Sequence, residues 1–175
     1  MPPFLKNLRI WCVTEHSCEP TSYCRVPAKG RLSPITLSNL RPDRHEDYSD
    51  YRTATQAVEE HPHWLGGVGI RVLPPLLVIV VRYCFQPSGK LDKSVRELMK
   101  GLSGYWERSP VREDVWGVLW SPTPVVGTEG WFHCNRVSVY SEAHLNLTGE
   151  PFRGVTGDPG PTNHERLAQF LKEIR

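Results

Sequence analysis

Long apolar runs are missing from this chain. The best stretch, Leu73 to Val81, contains two prolines and ends at Arg82, well short of the roughly 20 apolar residues that span a bilayer. No membrane role is expected. Met1-Pro-Pro-Phe-Leu-Lys6 has no apolar core of the secretory kind, so a cytoplasmic location is expected. Excess charge is also missing. A net charge of +2 is too small to attract a polyanion in bulk, so any nucleic-acid surface must come from local clustering. Paired cysteines are missing too. The five, Cys12, Cys18, Cys24, Cys84 and Cys134, are odd in number, and none forms the close Cys-x-x-Cys pair of a structural zinc site. With only His16 interleaved, they read as reduced thiols, and no metal or cofactor is expected. There is no internal repeat and no low-complexity tract.

What is present is ordinary globular chemistry. The 175 residues allow one domain, 1–175, with a real core, and 39% hydrophobic with 23% charged content is typical of such domains. Sixteen prolines argue for many turns. Leu8 to Thr14 alternates apolar and polar residues and reads as a strand. Residues 15 to 50 read as a long connection with a hairpin around Arg25 to Arg31. Thr53 to Glu60 places Ala54, Ala57 and Val58 on one face of a short helix. Gly66 to Val72 reads as a glycine-led strand, and Leu76 to Arg82 as a central strand covered on both faces. Asp92 is an N-cap for a helix with Val95, Leu98, Met99 and Leu102 along one stripe. Val115 to Trp120 and Trp131 to Tyr140 read as two further strands. Thr162-Asn-His-Glu165 is a capping box opening a last helix lined by Leu167, Phe170, Leu171 and Ile174. The fold expected is α+β, a central mixed or antiparallel sheet backed by helices.

Several strings then fall in a familiar order: Trp11, Arg25-Val-Pro27, Gly30-Arg31, Tyr51 to Ala57, Gly67-Val-Gly-Ile70, Ile79 to Cys84, Gly89-Lys-Leu-Asp92, Gly104-Tyr-Trp-Glu-Arg-Ser-Pro110, Val137-Ser-Val-Tyr140 and Leu147-Thr-Gly149. In this order they resemble the primase-polymerase domain of phage and plasmid replication proteins, within the archaeo-eukaryotic primase superfamily. The resemblance runs over nearly the whole chain. It implies a primase-polymerase-like fold. In that family, two alternate acids on one strand and a third from a neighbour hold divalent metal for nucleotide polymerisation. The matching positions here are Val80, Arg82 and Ser138. Val80 offers no donor, Arg82 places a positive charge where the cation would sit, and Ser138 is a poor substitute for a carboxylate. A family histidine aligns with Trp116, and an arginine of the last motif with His144.

The resemblance together with these substitutions implies a catalytically inactive domain that binds nucleic acid, DNA or RNA, within a replication, mobile-element or defence complex. Arg25, Lys29, Arg31, Arg82, Arg108, Arg112, Trp116 and His144 are its candidate contacts. Arginine suits phosphate through its fork of donors, and aromatic rings suit stacked bases. At least half of Trp106, Trp116, Trp120 and Trp131 are nevertheless expected inside the core. Two alternatives stand beside this reading. One is a protein-interaction scaffold without nucleic acid. The other is an active polymerase whose ligands have moved to Glu113, Asp114, Glu142 or Asp158.

Overall fold

A computed structural model describes residues 1–15, 31–109, 112–123, 125, 127–152, 154–155 and 164–174, and the backbone of 23–24. The elements run α1 (Pro3–Lys6), β1 (Trp11–Glu15), β2 (Tyr23–Cys24), β3 (Arg31–Leu32), α2 (Tyr51–Glu60), β4 (Leu65–Val72), β5 (Leu76–Arg82), α3 (Lys93–Gly101), β6 (Tyr105–Arg108), β7 (Val115–Trp120), β8 (Thr128–Phe132), β9 (Asn135–Tyr140), β10 (Ala143–Leu147) and α4 (His164–Glu173). The class is α+β. In place of one central sheet there are two five-stranded sheets, ordered β2-β10-β4-β1-β3 and β6-β7-β5-β9-β8. Every strand pairing in them is antiparallel. The hairpin expected around 25–31 lies, Arg31 apart, outside the described residues. The strands flanking it, β2 and β3, stand at opposite edges of the first sheet.

β5 organises the second sheet. Its run of β-branched residues lies between β7 and β9, with six consecutive buried positions. Side chains alternate across the pleat. Leu77, Ile79 and Val81 join Val95, Leu98 and Met99 of α3 and Leu167 and Phe170 of α4. Val78 and Val80 join the opposite cluster, with Trp11, Val13, Ile70 and Leu145 of the first sheet and Ala54 and Ala57 of α2. Each fully buried aliphatic side chain contributes about 1.5–3 kcal/mol, so β5 alone anchors two cores.

Local chemistry sets the helix starts. The Asp50 carboxylate accepts from the Thr53 amide at 2.8 Å, and that of Asp92 from the Ser94 amide at 2.8 Å. The first cap starts α2 at Tyr51, two residues ahead of expectation. Gly117 in β7 meets a packing demand. A Cβ there would stand 2.4 Å from Trp106 Cε3, so the indole lies directly on the backbone. Trp106 Nε1 donates to the Leu102 carbonyl at 3.0 Å, which ties β6 to the end of α3. Thr162 of the expected capping box lies outside the described residues.

Candidate nucleic-acid interface

The sheet registers decide which predicted residues meet. Val80 stands between Trp116 of β7 and Ser138 of β9, and Glu107 of β6 and Glu129 of β8 continue the row. Three of the five positions that the family pattern would make functional, Val80, Trp116 and Ser138, are therefore side by side on one face. All three are 0% exposed. Val80 and Trp116 belong to the core shared with the first sheet, and the Ser138 hydroxyl is buried without a hydrogen bond. A divalent cation needs oxygen ligands, commonly carboxylates. The centre of the row offers it an isopropyl group, an indole and one hydroxyl, so these three residues do not fit a metal.

Glu107, the acid nearest the row's centre, is committed elsewhere. Its carboxylate accepts from Tyr105 Oη at 2.7 Å, Trp116 Nε1 at 2.9 Å and the amides of Thr148 and Gly149 at 2.9 and 3.1 Å. Burial raises its pKa against the pull of those donors. Asp114 is likewise used: its Oδ1 accepts from the Tyr83 amide at 3.2 Å. Burial pushes its pKa up, while Tyr83 and the Arg82 charge pull it down. Glu142 lies at the start of β10, 3.9 Å from Arg71 Nη2, and Glu113 is exposed. Asp158 lies outside the described residues. Among the described residues no group of three His, Cys, Asp or Glu side chains is placed to hold a metal. Burial also pushes the Cys84 thiol up to about 12, so it is no nucleophile at neutral pH.

Two rows outward, on the same face, the chemistry is different. Arg82 pairs with Arg136, and Arg136 pairs with Trp131. Arg108 ends β6 beside Val115. The same end of the sheet thus carries Arg82 and Arg136 on one face, Arg108, in the row of Val81, on the other, and Arg112 in the turn before β7. Arg108 lies over the Phe85 ring at 4.0 Å and donates from Nε to the Arg112 carbonyl at 2.8 Å. Arg136 shares Glu129 with Tyr140. Two rings face solvent here: Tyr83 at 69% and Trp131 at 56% exposure. Tyr83 and Arg112 hold φ of 54° and 63°. That left-handed region costs a non-glycine residue about 1–2 kcal/mol. Such conformations persist where surrounding contacts impose them, and they cluster at functional sites.

Arg31 and His144 lie elsewhere, on the outer face of the first sheet. Arg31 is 1% exposed and gives both Nε and Nη2 to Asn146 Oδ1, at 3.1 and 2.9 Å. His144 is 1% exposed, with Nε2 2.8 Å from Tyr48 Oη. Arg25 and Lys29 lie outside the described residues. Of the eight predicted contacts, Arg82, Arg108 and Arg112 share one end of the second sheet, with Arg108 on the opposite face from Arg82, while Trp116 is core. Half of the four named tryptophans, Trp106 and Trp116, are fully buried, as expected. Sequence reasoning missed Arg136 and Tyr83. Only the β5–β9 register, which puts Arg136 opposite Arg82, could have found the first. Compared with protein-family models and with curated proteins, the chain matches none.

Proposed function

We propose that the chain is a primase-polymerase-like domain that binds single-stranded nucleic acid and does not polymerise it. The observation that carries this reading is the end of the second sheet. Four arginines from β5, β6, β9 and the turn before β7 stand there with exposed Tyr83 and Trp131. Non-specific single-strand binders combine cationic side chains that track phosphates with rings that stack on bases. The apolar row of Val80, Trp116 and Ser138 supports the absence of two-metal chemistry in the same fold. An arginine-bearing end with exposed rings, beside an apolar row, suits holding a strand rather than extending it.

The test is a fluorescence-anisotropy titration with single-stranded and duplex DNA and RNA across a salt series. Binding should favour single strands and weaken with salt, with log K falling linearly in log salt. Arg82→Ala, Arg112→Ala and Arg136→Ala should each reduce the salt slope by about one contact, roughly 0.7 for a single strand. Absent or salt-insensitive binding removes the proposal. Primer extension by the wild-type chain with magnesium or manganese would overturn its non-catalytic half.

A further inference from the structure

The outer face of the first sheet holds a buried charge that the interface does not explain. Arg71 of β4 is 8% exposed and lies opposite His144 of β10. Its Nε and Nη1 are buried and make no hydrogen bond. Its Nη2 is 3.9 Å from Glu142 Oε1, beyond hydrogen-bond range, and that carboxylate is 67% exposed. The guanidinium carbon sits 5.3 Å from the centre of the Tyr48 ring. Burial raises the Tyr48 pKa, so this hydroxyl stays neutral and supplies no counter-charge. Asp47, the next residue along, is already taken by Arg41, whose Nε lies 2.7 Å away. The second buried arginine of this face, Arg31, spends two donors on the neutral Asn146 amide.

A guanidinium this deep, with two donors unused and, among the described residues, only a distant exposed carboxylate, is costly unless something neutralises it. From this we infer that Arg71 is the seat of a phosphate group, with His144 and Tyr48 as its walls. A guanidinium is matched in shape and charge to phosphate oxygens. A group with several acceptor oxygens can take up more than one of its unused donors. The seat is on the other sheet from Arg82 and stands or falls independently of the strand-binding interface. The phosphate could be free, a mononucleotide's monoester or an oligonucleotide's diester.

Three ligands distinguish these sources: inorganic phosphate, a mononucleotide and a short oligothymidylate. Each is added at constant ionic strength to the full chain, with chloride as control, and read by thermal midpoint and calorimetry. At least one should raise the wild-type midpoint in a saturable way, and the strongest names the source. Arg71→Met should weaken that ligand at least ~10-fold. Glu142→Gln, at an exposed position, should tighten it by about 2-fold by removing a competing carboxylate; it carries the test should the Arg71 variant fail to fold. No saturable effect of any ligand on the wild type overturns the seat. So does unchanged affinity for both phosphate and mononucleotide in Arg71→Met, or no tightening of either in Glu142→Gln. Phosphate binding without any oligonucleotide binding would sink the interface and leave the seat standing. Loss of phosphate in Arg71→Met with oligonucleotide affinity intact supports the seat as a separate site.

Discussion

The two sheets treat charge in opposite ways. On the second, the central row of Val80, Trp116 and Ser138 is wholly buried, and arginines stand at the sheet's end. On the first, the outer face buries Arg31, Arg71 and His144, the last two against Tyr48. The second sheet gives its central row to core. The first keeps costly polar groups that core packing alone would not select. A residue's functional promise therefore cannot be read from its alignment position without its burial. Trp116 and Arg82 are near neighbours in register, yet one is core and the other reaches the rim.

The sharpest way to break this contrast is Val80→Asp. If the row is truly core, the new carboxylate is buried with the Ser138 hydroxyl as its one ready donor. The variant should then lose about 3 kcal/mol, read as a lower urea midpoint. Millimolar magnesium should not restore it; a magnesium-dependent recovery would mean that a cation cradle survives. A smaller effect, with two opposite signs, comes from Tyr83→Gly. Glycine relieves the positive φ and should stabilise the fold by about 1 kcal/mol. Removing the exposed ring should weaken oligonucleotide binding by about 1–3 kcal/mol. Loss of both stability and affinity would make Tyr83 a structural residue instead.

The smallest effect sharpens the pH side. The Ser94 hydroxyl and amide hold the Asp92 carboxyl below the usual aspartate range. Its folded value lies below its unfolded one, so its stabilisation is complete above the ordinary value near ~4 and is lost as pH falls through the depressed one. Asp92→Ala should cost about 1 kcal/mol at neutral pH. The gap to wild type should close on acidification, in chemical melts from pH 7 downward. Glu107, raised by burial, works with the reverse sign.

Strong periodicity was legible. β5 and β7 fall on the expected residues, and α3 starts at its Asp92 cap. The β8–β9 hairpin was read as one strand because its turn, His133-Cys134, carries no glycine. His133 adopts a φ of 55° there regardless. β6 was hidden because Tyr105-Trp-Glu-Arg108 buries its glutamate, so no polar–apolar alternation shows. β10 was missed for the same reason, since His144 and Asn146 are buried like Leu145 and Leu147 beside them. The arginine cluster was half legible: Arg82, Arg108 and Arg112 stand near recognisable strings, while Arg136 needs a strand pairing that local sequence does not encode. Arg71 sits in a strand pattern where an exposed position would be expected, and only the folded chain shows it buried.

Glu107 reaches beyond its own strand. Through the amides of Thr148 and Gly149 it fastens the tail of a strand from the first sheet to the edge of the second. Thr148 and Gly149 are themselves exposed, so their backbone hydrogens would exchange quickly with solvent on exposure alone. Held by a buried carboxylate, they should instead exchange slowly, and should quicken only when the two halves of the molecule part. Two surface amides thus become a native gauge of whether the sheets open together or one at a time.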